Sequence, residues 1–394
     1  MRIVDVCPFY APSAGGVRTY VDAKLRSAAR LGHELIVVAP GAEDRVVKVG
    51  SGAVLATVAA PKFQLDRRYR YFNDEGRLHR ELSRWHPDHV ECSSPWSSAG
   101  MVGRWQGKAT RSLFMHSDPI AAHGYRLLRM CSHAVVDRLF ARFWAHLRAL
   151  GGLFDTIVCP SSQLSQRLSS KGVQRVETLS LGVAGDFSPR WRSERLRGDL
   201  LQGLGLPPSG CLLLGVGRLG AEKRWDLVIE GVSAAARAQP VGLILVGDGP
   251  RRAALLHMSR DMPSVRLAAP IADRTELAKL MASADALVHG CEAETYGLVI
   301  AEARASGLPL IVPDRGGAFE QLQDGVGVSY AAGSAKSLEQ ALLGYFRERD
   351  RFARGAGQVC HVPGLDEHFE RLFARFGALG ASALADTAGL KAAA

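Results

Sequence analysis

Paired cysteines, long hydrophobic runs and a basic leader are all lacking from this 394-residue sequence. Its seven cysteines are scattered singly, without a CxxC pair or a histidine at metal-binding spacing, which argues against a disulfide framework and a zinc site. The longest apolar runs, such as 211–216 and 242–246, are far shorter than the ~20 residues that span a bilayer. The first residues read directly into a strand and do not resemble a signal peptide. We therefore expect a cytoplasmic protein without a transmembrane helix.

The composition is that of a globular α/β protein, with 47% apolar and 22% charged residues. A chain of this length exceeds one ordinary core, so two domains are expected. The net charge is +10, and the excess lies in residues 1–185, which carry 25 Lys and Arg against 15 Asp and Glu. Such a bias suits an anionic partner, either a membrane surface or a polyanion. The alternative is that arginines simply cover solvated faces.

Short apolar segments alternate with amphipathic ones along the chain, which predicts strands followed by helices. The alternation restarts after residue 210. Predicted strands are 2–7, 33–39, 89–92, 113–116, 156–159, 212–216, 243–246, 265–267, 286–289 and 310–312, and predicted helices are 17–29, 126–150, 225–237, 251–260 and 276–282. The fold class is therefore α/β, with two Rossmann-like doubly wound domains whose strand ends face an interdomain cleft.

Domain boundaries follow from a stretch rich in Gly, Pro, Ser and charge at 182–208. We predict an N-terminal domain at 1–185 and a C-terminal domain at 186–364. A helix at 365–377 is expected to pack back towards the N-terminal domain, and 378–394 is expected to be an Ala-rich tail.

Two carboxylates flank a predicted helix start in the C-terminal half. Glu294 lies in the strand-to-helix loop, and Glu302 lies in the helix that Gly297 opens. The amide groups around Gly297 and Leu298 can receive a phosphate, because the helix dipole favours an anion there. Each carboxylate could accept from vicinal hydroxyls, as sugars offer. By spacing alone, two ordinary glutamates on a surface helix would fit as well.

A basic loop follows the predicted strand 212–216. Gly217 and Arg218 precede Lys223, and an Arg and a Lys at the carboxyl end of a strand can neutralise the charge that develops on a diphosphate leaving group without a metal. Solvated surface residues are the alternative. A Gly-rich turn follows at 245–250 and contains Gly247, which by itself fits a plain turn.

The N-terminal half has two candidate segments. Gly15 and Gly16 precede a helix, where glycine permits close approach of the backbone to a ligand. They do not form a GxGxxG fingerprint, so a nicotinamide cofactor is disfavoured. His116 and Asp118 follow a predicted strand that ends at the expected cleft, although a lone histidine there is more often packed or solvated.

These motifs, in this order, resemble those of the retaining GT-B glycosyltransferases of family 4. The run 293–303 is similar to the family's E-x7-E signature, and Gly217 to Asp226, with Glu222 and Arg224, is similar to its G-R-x4-K-x-x-D pattern. The segment 181–189 resembles its interdomain crossing. The departures are Ala184 at a position where an acid is common, Gly290 and Cys291 in place of Pro-Ser, and 268–270 without the glycine expected near the base pocket.

The resemblance implies the roles of individual residues. Catalysis is assigned to His116, Arg218, Lys223 and Glu294, with His116 and Glu294 on the transferred sugar. The second carboxylate, Glu302, is assigned to the ribose. The donor site comprises Gly15, Gly16, Gly217, Arg218, Lys223, Gly247, Glu294, Tyr296, Gly297, Leu298 and Glu302.

The activity implied is retaining transfer of a hexose from a UDP- or GDP-sugar to a hydroxyl acceptor, with no cofactor and no metal. The acceptor is expected to be a glycan, a lipid or a lipid-linked glycan, as in glycolipid or polysaccharide biosynthesis. The basic segments 67–72 and 126–150, with Arg129, Arg138, Arg142 and Arg148, suggest peripheral attachment to an anionic inner membrane face. A core helix with snorkelling arginines is the alternative. A sugar-nucleotide epimerase, a phosphorylase and a nucleic-acid-binding protein are rivals, but no nucleic-acid motif is present.

Overall fold

The computed structural model describes residues 1–11, 16–64, 67, 69–125, 128 and 132–392. The chain divides into two compact units, Met1–Ser180 with Leu365–Ala394, and Leu181–Gly364. The boundary expected near 185 lies inside the second unit. This is because the Val183 N–H donates to the Pro363 carbonyl at 2.9 Å, which ties the start of that unit to its end.

An eight-stranded sheet forms the centre of the first unit, in the order β3-β4-β2-β1-β5-β6-β7-β8. Its strands are β1 Arg2–Val6, β2 Glu34–Gly41, β3 Arg45–Gly50, β4 Ala53–Ala59, β5 His89–Cys92, β6 Thr110–Phe114, β7 Thr156–Cys159 and β8 Val176–Thr178. All neighbours are parallel except β3 and β4. The inner strands are buried along their length because parallel sheets are covered on both faces.

Helices of the first unit include α1 Gly16–Arg30, α2 Glu75–Trp85, α3 Ser97–Arg104, α4 His133–Leu139, α5 Ala141–Leu153 and α6 Ser162–Ser170. The prediction of a single helix at 126–150 is therefore wrong, since α4 and α5 are separated at Phe140. Asp137 holds this bend, because its Oδ1 accepts from the Tyr125 hydroxyl at 2.7 Å and from the Trp144 indole at 3.1 Å.

A six-stranded parallel sheet forms the centre of the second unit, in the order β11-β10-β9-β12-β13-β14. Its strands are β9 Cys211–Val216, β10 Val241–Val246, β11 Val265–Ala268, β12 Ala286–Val288, β13 Leu310–Pro313 and β14 Gly327–Tyr330. The chain leaves β9 towards β10 on one side and later returns to β12 on the other. This reversal opens a crevice between the carboxyl ends of β9 and β12, where open α/β sheets bind ligands.

Helices of the second unit are α7 Glu194–Gly203, α8 Trp225–Ala235, α9 Arg252–Met258, α10 Arg274–Ser283, α11 Leu298–Ala305, α12 Gly317–Glu320, α13 Ala335–Arg347 and α14 Arg349–Gln358. The stretch 182–208, from which the domain boundary was predicted, contains α7. Its N-cap is Ser193, whose side chain accepts from the Leu196 N–H.

The last helix, α15 Leu365–Ala392, belongs to the first unit. It is attached to α1 by polar contacts: the Tyr20 hydroxyl lies 2.9 Å from His368 Nε2, and the Ser27 hydroxyl donates to Asp366 at 2.8 Å. The helix continues through the segment expected to be a tail, because alanine has the strongest helix propensity. Within the described residues, no helix combines the length and the apolar character needed to cross a bilayer.

Candidate functional site

Two glycines allow the ends of β9 and β10 to approach each other. Gly217 and Gly247 have φ values of +149° and +157°. A Cβ on Gly247 would lie 2.0 Å from the Gly217 carbonyl oxygen, so a larger residue would force the loops apart. Gly217 and Gly247, two of the glycines of the predicted donor site, therefore shape the floor of the crevice with their backbones.

A tight turn carries Lys223 from the end of β9 to the crevice. Residues Ala221–Lys223 form a short 3-10 helix, and the backbone of Arg224 has the left-handed conformation, with a φ of +50°. The Trp225 indole, which is buried, donates to the Arg218 carbonyl at 3.0 Å and closes the turn. Arg218 itself remains largely exposed, 4.0 Å from Glu222, which leaves its guanidinium accessible to a ligand.

Lys223 and Glu294 form an ion pair within the crevice, between Nζ and Oε1. The side chains retain 19% and 15% of their exposure, so the pair is not sealed from the surface. Burial alone would raise the pKa of the Glu294 carboxyl, but Lys223 and His289 outweigh burial and hold the pKa well below its usual range. Burial opposes the charge of Lys223, yet Glu294 raises its pKa above the ordinary value. Both groups are charged at neutral pH.

His289 and Cys291 border the same carboxylate. His289 Nε2 lies 3.3 Å from Glu294 Oε1. Burial lowers the pKa of His289 despite this neighbour, and burial raises the pKa of Cys291 to about 12. His289, Cys291 and Glu294 each offer one possible metal-ligand atom, and these atoms lie within 4.8 Å of one another. The donor set fits a metal poorly, because the Lys223 ammonium already contacts the carboxylate that a cation would need.

The loop that carries Glu294 is fixed through its backbone. Gly290 lies so close to Lys223 that a Cβ there would be 2.5 Å from the Lys223 carbonyl oxygen. The Gly317 N–H donates to the Glu294 carbonyl at 2.8 Å. The Gln321 amide donates to the carbonyls of Tyr296 and Gly297 at 2.5 and 3.2 Å. The Gly-Cys departure from the family pattern therefore includes a glycine that this packing requires.

Gly297, with a φ of +86°, is the N-cap residue of α11, which begins at Leu298. The first N–H groups of a helix have no acceptor four residues earlier within it, and here the Ile300 N–H donates to the Gly297 carbonyl at 2.9 Å. The anion site expected at the Leu298 amide stays a prediction. The Tyr296 side chain is only 6% exposed, and burial raises its pKa to about 12. Tyr296 therefore packs within the loop, and the donor-binding role expected for it stays a prediction.

Glu302 lies on α11, 8% exposed, and its Oε1 accepts from Arg274 Nη2 at 2.6 Å. Burial raises the pKa of this carboxyl, and Arg274 opposes the rise. The sequence predicted that Glu302 lies in the helix after Gly297, and it lies on α11. Its arginine partner, from the start of α10, was not predicted.

His116 and Asp118 lie in the first unit, after β6. His116 packs against Tyr20 and Phe114, with ring centroids 4.9 and 4.6 Å apart. Burial lowers its pKa to about 3, so the imidazole is neutral. Asp118 pairs with Arg167 and accepts from the Ala121 N–H at 2.9 Å, so it serves the local fold. Gly16 begins α1, while Gly15 lies outside the described residues.

Three residues of the second unit's site were missed by sequence reasoning: Arg274, His289 and Gln321. Arg274 left one signal, because a cation at the first position of a helix opposes the helix dipole and suggests another purpose. His289 ends a predicted strand, where polar side chains of α/β proteins gather. Gln321 acts on backbone carbonyls, which no side-chain motif records.

Comparison with known proteins agrees with this geometry. The family model "Glycosyltransferase Family 4" matches residues 14–186, and "Glycosyl transferases group 1" matches residues 210–348. A relative named GDP-mannose-dependent alpha-(1-6)-phosphatidylinositol dimannoside mannosyltransferase, from Mycobacterium tuberculosis, is 31% identical over 79% of each chain. A GDP-mannose-dependent alpha-mannosyltransferase of Corynebacterium glutamicum is 28% identical over 83% of this chain and 75% of its own.

Solved structures share the fold. Sucrose-phosphate synthase from Thermosynechococcus elongatus matches with a TM-score of 0.69 and 19% identity over the whole of both chains. HepE from Anabaena, in complex with UDP and glucose, matches with a TM-score of 0.68 and 17% identity over 96% of this chain and 99% of its own.

The two α/β sheets and the matches to known proteins together identify this chain as a nucleotide-sugar-dependent hexosyltransferase of GT-B fold. Within that class, the chain belongs to glycosyltransferase family 4.

Proposed function

We propose that this enzyme transfers mannose from GDP-mannose to a hydroxyl of a lipid or lipid-linked acceptor, with retention of the anomeric configuration and without a metal. The observation that carries the proposal is the partly exposed Lys223–Glu294 pair at the reversal point of the second unit's sheet. The donor base and sugar are suggested by relatives whose names specify GDP-mannose.

The charges of the pair suit electrostatic catalysis. A cationic Lys223 and the exposed Arg218 would neutralise the charge that develops on the departing diphosphate. The first-turn amides of α11 would supply further donors. Glu294 stays ionised at neutral pH, so it can accept from sugar hydroxyls but cannot act as the protonated acid that a hydrolase needs. The role of His116 on the transferred sugar is carried over from the family resemblance.

Metal independence is supported by the same pair, since an ammonium already serves the carboxylate. A lipid acceptor is supported by the phosphatidylinositol dimannoside in one relative's name.

The membrane contact is assigned to the outer face of α4 and α5. Val135 and Leu139, one helical turn apart on α4, are 48% and 65% exposed. Arg138 and Arg142 are exposed beside them. Apolar side chains flanked by arginines are typical of helices that lie on anionic bilayers. We place the enzyme in the cytoplasm at the inner membrane face.

The donor assignment is tested by a screen of GDP- and UDP-sugars, in which release of free nucleotide is followed with and without EDTA. We expect GDP-mannose to be turned over fastest, with no loss in EDTA and with NMR showing an α-linked product. Turnover only of UDP-sugars would refute the donor, a β-linked product would refute retention, and epimerised nucleotide sugar without nucleotide release would favour the epimerase.

The membrane assignment is tested by sedimentation with vesicles that contain anionic or neutral lipids. Leu139→Glu should weaken anionic vesicle binding, because it places a negative charge on the contact face. Leu256→Glu is the matched control, since Leu256 is a similarly exposed leucine of the second unit. Equal binding to both vesicle types, or equal effects of the two substitutions, would contradict the assignment.

A further inference from the structure

Arg274 is held on two sides next to the carboxylate assigned to ribose. Its Nη2 donates to Glu302 Oε1 at 2.6 Å. Its guanidinium carbon lies 4.7 Å from the centre of the Phe187 ring, and Phe187 is buried. A planar cation can satisfy a carboxylate at its edge while an aromatic ring supports its face, which a lysine cannot do equally well.

The position of Arg274 works against its own helix. Arg274 is the first residue of α10, directly after the N-cap Asp273, and the positive end of a helix dipole repels a cation. Phe187 and Glu302 offset this repulsion. Of the charged side chains in the described parts of the chain, Arg274 is the one that acts on Glu302. Arg274 therefore stabilises the charge of the Glu302 carboxylate and does not stabilise its own helix.

We infer that Arg274 is a positioning residue for the nucleotide site, which keeps Glu302 charged and fixes its Oε1 so that Oε2 is presented to a ribose hydroxyl. This inference rests on the proposed function, in which Glu302 receives the ribose. Hydrogen bonds to an ionised acceptor are stronger than those to a neutral one, so a charged Glu302 binds a hydroxyl donor more tightly.

Loss of Arg274 would leave a buried carboxyl whose pKa is raised without opposition. Protonation would then begin nearer to neutrality as the pH falls, and the ribose would lose a charged acceptor. We therefore expect Arg274→Met to weaken GDP binding more at about pH 6 than at about pH 8, whereas the wild-type enzyme changes less over that range.

The experiment measures the Kd of GDP by titration calorimetry at both pH values for the wild type, Arg274→Met, Arg274→Lys, Glu302→Gln and the double variant. We expect Arg274→Met to raise Kd roughly tenfold at the lower pH. The Kd of Arg274→Lys should change with pH almost as little as that of the wild type, because lysine restores a positive charge beside Glu302. In the Glu302→Gln background, Arg274→Met should have little further effect, because Arg274 acts through Glu302.

An unchanged Kd and pH response in Arg274→Met would overturn the inference. An equal loss in the Glu302→Gln background would also overturn it, since Arg274 would then contact the nucleotide directly. Thermal unfolding of each variant identifies any that fail to fold, in which case Arg274→Lys decides the outcome by its pH response. A wild-type enzyme that binds neither GDP nor UDP would instead refute the proposed function.

Discussion

Two lysine–carboxylate clusters, one in each unit, differ in how deeply they are buried. In the first unit, Lys24 lies between Asp5 and Glu91, at 2.9 and 2.5 Å, and all three side chains are fully buried. In the second, Lys223 contacts Glu294, and both remain partly exposed. The first cluster is closed to ligands and the second is open.

Strand register explains the closed cluster. Asp5 on β1 stands opposite Glu91 on β5, so parallel pairing places two carboxylates side by side within the sheet. Burial raises the pKa of Glu91 to about 7, and Lys24 opposes that rise. Lys24, from α1, supplies the positive charge that the pair requires. The open cluster lies instead beyond the strand ends, where its side chains keep part of their exposure. We therefore expect the closed ion pair to act on stability and the open one on activity.

The largest effect is expected from Lys24→Met, which leaves two buried carboxylates without their cation. We expect a loss of about 3–5 kcal/mol in the free energy of unfolding, measured by urea unfolding at neutral pH. Lys279→Met is the control, because Lys279 pairs with Glu276 on an exposed helix face and should cost less than about 0.5 kcal/mol. Similar small losses in both variants would break the comparison.

The open cluster should respond in activity and not in stability. We expect Glu294→Ala to lower kcat for mannosyl transfer by roughly 10²–10³-fold, because in the proposed function this carboxylate is an acceptor for the transferred sugar. Its thermal midpoint should stay near that of the wild type. A variant that unfolds before it loses turnover would show that Glu294 is structural, like Glu91.

The smallest effect is expected at His116, because the charges of Asp5 and Lys24 in the closed cluster both influence its pKa. Its native pKa of about 3 lies below its ordinary value of 6.5. As the pH falls below 6.5, the unfolded chain binds a proton that the native histidine refuses, so native stability decreases. His116→Asn lacks this contribution.

Urea unfolding of both proteins between about pH 7 and about pH 5 tests this expectation. The wild type should lose up to about 1.4 kcal/mol per pH unit relative to His116→Asn. Parallel pH profiles would mean that His116 is solvated and able to ionise.

Sequence patterns predicted the parts of the molecule that rest on local order. The alternation of apolar and amphipathic segments predicted the two parallel α/β sheets, and strand 89–92 matches β5 residue for residue. The positions of Glu294 and Glu302 followed from a motif within one loop and one helix. The antiparallel strand β3 was missed, because its residues are mostly exposed and carry no apolar run.

Long-range pairing explains the rest. Arg274 and Glu302 are separated by 28 residues, and Phe187 comes from another part of the chain, so no local spacing connects them. The closed cluster depends on the register of β1 against β5, which the sequence pattern does not specify to the residue. Asp137, beside the division at Phe140, also pairs with Lys171 on a later segment of the chain.

Lys223 is the proposed cation of the nucleotide-sugar site in the second unit. The most direct measurement compares GDP release from GDP-mannose by the wild type, Lys223→Ala and Lys279→Ala. We expect Lys223→Ala to lose at least about 100-fold in kcat while it remains folded, and Lys279→Ala to retain wild-type turnover. Near-normal turnover by folded Lys223→Ala would contradict the assignment of the diphosphate site.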